Sequence, residues 1–295
     1  MTFSREAVEQ FLIRGVLRWV GILFFFIVTA FPFYYMVLLS FRSIQGVLIE
    51  PGSLVPDWTL VRSMKTYIDV LRPVSQGGQG FGTFIVNSVI VSITTTTLTL
   101  TVAILAAYGA TRLEFRGKKA VNWGILLVYM LPAIVLAIPL FVLFSRLGLR
   151  QDVTRRLIGL VVVYLSATLP VALYMLRSYF QTIPVELEEA AMIDGSSRLQ
   201  TIWRIVIPLA IPAIASTALY VFMIAWNEFL YALLFLLEQR DAWTLSLGVK
   251  QLDTQEVPKT MLMAGSVIIT VPIVVLFFFF ERFLTKGLTA GAVKG

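Results

Sequence analysis

A carboxylate stands inside an apolar run. Glu228 lies in WNEFLYALLF, with Trp226, Asn227 and Tyr231 around it. An aromatic face, an amide and a carboxylate this close together suit a sugar, whose C–H faces stack on rings and whose hydroxyls need hydrogen bonds. Asn87 and Ser88, in NSVIVS near the start of another apolar run, add an amide and a hydroxyl. A charge within a membrane is costly and faces a cavity or a partner, which makes Glu228 a candidate functional residue. The same WNEF could also be packing and helix–helix glue. Other chemistry is scarce. The chain has no His and no Cys, so disulfides, thiol nucleophiles, imidazole bases and the usual zinc sites are excluded. QGGQGFG spaces Gly77 and Gly82 like a phosphate loop, but Thr83 stands where Lys is needed and no strand precedes it. It reads as a flexible loop, and no nucleotide site is found in the chain.

The second chemical candidate is the polar stretch EEAAMIDGSSRLQTIWRIVIPLAIP, residues 188–212. Pro184 suits a first helical turn, and Glu186, Glu188 and Glu189 follow where carboxylates favour the positive helix end. Ala190 and Ala191 are strong helix formers. Asp194-Gly195 predicts a break, since Gly takes the left-handed conformation at a helix end. Ser197 with Gln200 fits a capping box opening a second helix. There Leu199, Ile202, Trp203 and Val206 form one apolar stripe, with Arg198, Thr201 and Arg204 off it. Pro208 is expected to stop this helix, and Pro208 with Pro212 to loosen the entry into the next apolar run. A helix lying on lipid headgroups would show a similar stripe. Two details favour a protein partner. The first helix is acidic, which is unfavourable beside anionic lipid. The alanine pair before a glycine turn also presents a close-approach surface suited to a groove.

What must position these groups is a membrane protein. Of the 295 residues 58% are hydrophobic and 14% charged, against about 25% charged in a soluble domain. Six windows without charge approach or exceed the ~20 residues a bilayer crossing needs. The reading is an all-α polytopic protein with six transmembrane helices, at about 19–41, 83–110, 120–145, 157–178, 208–237 and 262–282. A tail 1–18 precedes the permeating domain 19–284, which includes the loop 182–207, and a tail 285–295 follows it. The first run contains Pro32 and lacks a small-x-small cleavage site, so it is a span and not a signal peptide. With the amino terminus inside, the inner segments carry 13 Lys and Arg and the outer ones 11, a weak positive-inside preference. The basic segment RLGLRQDVTRR lies outside in this orientation, against the rule. Thr94–Thr97, Thr99 and Thr101 read as helix packing, because helical Thr can bond its own backbone. The net charge of +7 sits beside apolar runs with no basic aromatic face, so no nucleic acid is expected.

The stretch EAAMIDG, nine residues and then IVIP resembles the EAA loop of ABC importer permeases, whose pattern is E-A-A-x3-G-x9-I-x-L-P. Glu189, Ala190, Ala191, Gly195, Ile205 and Pro208 match, and Ile207 stands where Leu is usual. NSVIVS, WNEFLYALLF and the terminal GLTAGAVKG extend the likeness over most of the chain, to the carbohydrate-uptake permeases of the maltose-permease type and their smaller six-span subunit. The resemblance implies a translocation subunit without its own ATPase site. Its loop is a cytoplasmic coupling helix between spans four and five, docked on an ATPase, with Glu189 pairing a basic residue there and Asp194-Gly195 making the turn. It implies two copies of that ATPase holding ATP and Mg, a second homologous permease in a heterodimer, and an extracytoplasmic sugar-binding protein. It places the chain in the cytoplasmic (inner) membrane with both termini cytoplasmic, and the end of the chain against the ATPase pair. Trp243, Asp253 and Glu256, in the loop 238–259, are expected to touch the binding protein. The sugar is expected to be a disaccharide such as trehalose or maltose.

Two rivals remain. A permease for another substrate class would share the coupling loop. An ion-coupled secondary transporter would show several buried ionisable groups along its spans, and Glu228 alone fits. An intramembrane hydrolase would need His or spans bearing Asp, and the spans have neither.

Overall fold

The computed structural model describes the backbone of residues 12–292, and their side chains except at 12–14, 121, 122, 126, 129, 133 and 284–292. The expected tails 1–18 and 285–295 therefore lie largely outside the described residues. The described chain is helical, without strands. Five of its helices are long and apolar enough to cross a membrane: Gly15–Ser40, Phe81–Arg112, Val153–Phe180, Arg198–Asn227 and Lys259–Phe283.

The chain divides into two compact units. The first comprises residues 1–79 and 252–268. In it α1 (Arg18–Ser40) contains Pro32. Three short helices follow: α2 (Ile44–Ile49), α3 (Trp58–Ser63) and α4 (Lys65–Leu71). Ser43 and Asp57 start α2 and α3 by accepting the N–H groups of Gly46 and Thr59, donors that a helix start leaves orphaned. Arg42 is buried and donates to the carbonyls of Gly46 (2.7 Å) and Ser53 (3.2 Å). Lys259 pairs with Asp253 at 2.8 Å.

The second unit comprises residues 80–251 and 269–295. Its elements are α5 (Phe81–Arg112), α6 (Lys118–Met130), α7 (Ala133–Arg146), α8 (Val153–Phe180), α9 (Val185–Ile193), α10 (Arg198–Thr201), α11 (Ile207–Asn227), α12 (Leu230–Leu236) and α13 (Leu245–Leu252), with α14 (Lys259–Ala292) from residue 269 on. At its centre α5, α8 and α11 pack against one another. Ser88, Ser92, Thr95, Thr99, Ala103 and Ala107 are all buried on one face of α5. Small side chains let helix backbones close up where lipid offers no hydrophobic drive. The Thr99 and Thr168 hydroxyls bond each other at 2.8 Å, and Thr101 bonds back to the Thr97 carbonyl. The threonine run is a packing face at Thr95 and Thr99. Part of the core joins Ala107 and Tyr108 of α5 to Leu176 and Phe180 of α8 and to Ile202, Val206 and Ala210, where the 182–207 loop runs into α11.

Three departures from the expected helices have backbone causes. The window 120–145, expected as one span kinked at Pro132, is broken there into α6 and α7. Leu131 and Pro132 between them are extended (ψ 124° and 130°), because Pro lacks an N–H and pushes the preceding residue out of the helical region. The window 208–237 breaks at Glu228, which leaves the helix at ψ 129°. The helix begun at Arg198 does not stop at Pro208. It runs through a π-helical turn, Ile202–Val206, into α11. A wider turn relieves the clash between the Pro208 ring and the carbonyl four residues back.

Candidate functional site

The loop 182–207 is built as its residues predict. Pro184 precedes α9, and Gly195 follows it at φ +89°. The Ser196 N–H reaches the Ala191 carbonyl at 2.9 Å and the Gly195 N–H the Met192 carbonyl at 3.1 Å, which satisfies carbonyls that the helix end would leave open. The capping box is complete: Ser197 N–H donates to Gln200 Oε1 at 2.8 Å, and Gln200 N–H to Ser197 Oγ at 3.4 Å. Glu189, Ala190, Asp194, Gly195 and Pro208 are exposed, Ile205 is half-buried and Ala191 buried. Ile193 is 86% exposed at the tip of α9. The stripe on the second helix divides. Ile202 and Val206 enter the core, while Leu199 and Trp203 stay outside. The loop therefore shows an acidic helix with a small-residue face and an apolar tip.

As helix-start acids Glu186, Glu188 and Glu189 read alike, and the resemblance singled out Glu189 alone; the structure buries Glu188 and leaves the other two exposed. Glu188 is 2% exposed and pairs with Arg112, the last residue of α5, Nε to Oε1 at 2.8 Å. Arg112 Nη2 also donates to the Ile183 carbonyl at 2.8 Å. The signal available in the sequence was Arg112 closing a long apolar helix, which demands a partner.

At the other candidate site, Glu228 works on the backbone. Its carboxylate accepts the N–H groups of Tyr231 (2.8 Å) and Ala232 (3.1 Å) and the Tyr164 hydroxyl (2.7 Å). Its own carbonyl accepts the Ser246 hydroxyl at 2.6 Å. A helix broken at membrane depth must have its freed N–H groups satisfied internally, and Glu228 does this for α12. Trp226 is buried, with its indole N–H on the Ile269 carbonyl at 2.9 Å and Phe222 stacked on its ring. Tyr231 is buried. Asn227 is exposed and bonds back to the Met223 carbonyl. Trp226 and Phe222 also line an apolar cavity of about 430 Å³ between α5, α11 and α14.

Asn87 and Ser88 are buried and hold the segment after α12. The Asn87 amide donates to the carbonyls of Asp241 (2.8 Å) and Trp243 (2.9 Å), and Ser88 Oγ accepts the Leu245 N–H (2.7 Å). Trp243, expected at the outer surface, is instead buried beside Phe84. Its indole N–H donates to the Leu236 carbonyl at 3.0 Å. Its apolar bulk and single donor are better used folding the segment inward. Asp253 and Glu256 are exposed as expected.

The basic segment after α7 is partly neutralised within the fold. Arg150 and Arg156 both bond Glu238, at 2.6 and 3.3 Å, and Arg156 also caps the Phe235 carbonyl at 2.8 Å. The hydrogen bonds from Arg150 and then Arg156 hold the Glu238 carboxyl below its ordinary value.

Residues 99–290 match the family described as the inner membrane component of binding-protein-dependent transport systems. The chain is 38% identical over 277 residues to the inner membrane ABC transporter permease protein YcjP of Escherichia coli (strain K12), covering 93% of this chain and 95% of that protein. It is 36% identical over 285 residues to the trehalose/maltose transport system permease protein MalG of Thermococcus litoralis, covering 96% and 98%. Its fold superposes on the crystal structure of a bacterial ABC transporter involved in the import of the acidic polysaccharide alginate, with TM-score 0.74 and 21% identity over 96% of this chain and 99% of that one. The chain belongs to the binding-protein-dependent transport family as its multi-pass membrane component. It is thus an ABC importer permease, the translocating subunit and not the ATPase.

Proposed function

We propose that this permease imports a sugar, a disaccharide such as trehalose or maltose, by coupling closure of an ATPase pair to alternating access. The observation that carries the coupling is the loop 182–207. Its exposed Glu189 and Ala190, its glycine turn and its apolar tip Ile193 form a short amphiphilic finger suited to a groove on a cytoplasmic subunit. The sugar rests on the trehalose/maltose permease among the relatives. In this reading two ATPase copies hold ATP and Mg, and a second homologous permease completes the pathway. An extracytoplasmic sugar-binding protein delivers cargo, meeting Asp253 and Glu256. Both termini are cytoplasmic in the inner membrane, and α6 and α7, broken at Pro132, together make the third of six crossings. Of the residues considered for the sugar path, Asn227 is the one left exposed beside the helix break, so it is assigned the sugar contact. Asn87, Ser88, Trp226, Glu228 and Tyr231 shape the wall behind it.

The test is purification of tagged chain in mild detergent beside a Gly195→Asp version. Two ATPase copies and one second permease with the wild type, and loss of the ATPase from the variant, are expected. A wild type that never recruits an ATPase sinks the reading. Sugar-stimulated ATP hydrolysis by the purified complex then identifies the substrate, and a complex indifferent to every disaccharide overturns the sugar assignment alone.

A further inference from the structure

We infer that Arg112 and Glu188 are positioning residues that make α5 a strut, tying the ATPase-facing loop to the segment 240–245 at the other end of the helix. This rests on the coupling role proposed above and adds the path by which its motion leaves the loop. At one end of α5, Arg112 grips α9 twice, through Glu188 Oε1 and through the Ile183 carbonyl just before the helix, both at 2.8 Å. The two side chains are 12% and 3% exposed. A planar guanidinium held at two points transmits orientation as well as attachment. At the other end, Asn87 and Ser88 hold the backbone at Asp241, Trp243 and Leu245 through three further bonds.

What joins these ends is stiff. From Ser88 to Arg112 the helix rises about 36 Å, at roughly 1.5 Å per residue. Among the five long apolar helices of the described residues, α5 alone contains no proline; α1, α8, α11 and α14 carry Pro32, Pro170, Pro212 and Pro272. Proline is the usual site of a helix kink. A displacement of α9 is therefore passed along α5 without a proline joint, whereas each of the other long helices carries one.

A buried ion pair is a poor device for stability alone, since apolar residues of similar volume often serve as well. That makes the pair testable. In the complex with its ATPase, the Arg112→Met/Glu188→Leu double variant buries no charge and is expected to assemble and to bind ATP. The chain has no Cys, so Asp241→Cys, labelled before the chain is combined with its partners, gives one label, on an exposed side chain whose backbone carbonyl Asn87 holds. A spin label there is expected to change mobility when Mg-ATP and vanadate trap the closed ATPase in the otherwise unaltered complex, and to lose that response in the double variant. An undiminished response in the double variant overturns the strut, as does an unaltered complex whose label ignores nucleotide. If the double variant does not assemble, Arg112→Lys decides. It keeps the charge on Glu188 but cannot span both acceptors, and a full response from it overturns the proposal. Failure of the unaltered chain to recruit any ATPase counts instead against the coupling role itself.

Discussion

Tyr164 donates its hydroxyl to Glu228 across 2.7 Å, from within α8 to the break between α11 and α12. The same carboxylate caps two N–H groups of α12, so the bond fixes a discontinuous helix to a continuous one. Glu228→Ala leaves those donors unmet, at a cost of about 1–3 kcal/mol each. Glu228→Gln keeps one acceptor oxygen, and Tyr164→Phe removes only the hydroxyl. The expected order of melting temperatures in detergent is wild type, Tyr164→Phe, Glu228→Gln, Glu228→Ala. An Ala variant as stable as the wild type would show that the cap is dispensable.

Two glycines should fail for different reasons. At Gly195 an added Cβ meets nothing within 4 Å, but φ is +89°, so Gly195→Ala costs about 1–2 kcal/mol of backbone strain. Its effect should fall on ATPase recruitment, and Asp194→Asn should be milder in uptake than Gly195→Asp. At Gly248 a Cβ would lie 2.5 Å from the Phe84 ring, so Gly248→Ala overpacks by about 1–3 kcal/mol. It should lower the melting temperature while ATPase still co-purifies. The two variants exchanging these phenotypes would contradict the assignment.

The Glu238 cluster predicts a dependence on acid. Its carboxyl is held below its ordinary value of 4.5 by Arg150 and Arg156. Stability from the charged form is thus complete above that ordinary value and is lost as pH falls through the lowered one. Melting curves from pH 7 to about pH 3 should converge for wild type and Glu238→Gln at the acid end and separate near neutrality, with the wild type higher. Parallel curves would mean that the cluster contributes nothing.

Asn227 carries the substrate prediction. Its side chain is exposed, and its amide donates to the Met223 carbonyl of its own helix. Asn227→Ala should lower sugar uptake with the complex intact and its melting temperature unchanged. Losing a hydrogen bond of about 0.5–1.5 kcal/mol corresponds to a rise in the half-saturating sugar concentration of about two- to tenfold. Unchanged transport removes Asn227 from the path.

Local signals were the most legible part of this fold. Pro184, Asp194-Gly195 and the Ser197–Gln200 box each act within a few residues, and each does in the structure what its chemistry dictates. Pro132 divided an apolar window that hydropathy alone joined, because hydropathy sums side chains and ignores the missing N–H. The roles of Asn87, Ser88 and Trp243 were not legible, and that of Glu188 was signalled only by Arg112 needing some partner. Their partners lie 76 to 157 residues away for Glu188, Asn87 and Ser88, and polar types in apolar helices look the same whether they face a cargo or hold a distant backbone. Trp243 folds onto Leu236, only seven residues away, but its inward turn depends on Phe84 and the other helices it packs beside.

The pairing of Arg150 with Glu238 also bears on how the chain enters the membrane. The two residues are 88 positions apart, so the arginines are synthesised well before their carboxylate exists. In the proposed orientation, α7 and α8 are threaded while the turn between them still carries its full positive charge, against the usual bias. Hydropathy and the basic segment between α5 and α6 must set the direction at that stage. The ion pairs with Glu238 lock the turn only after α11 and α12 have followed.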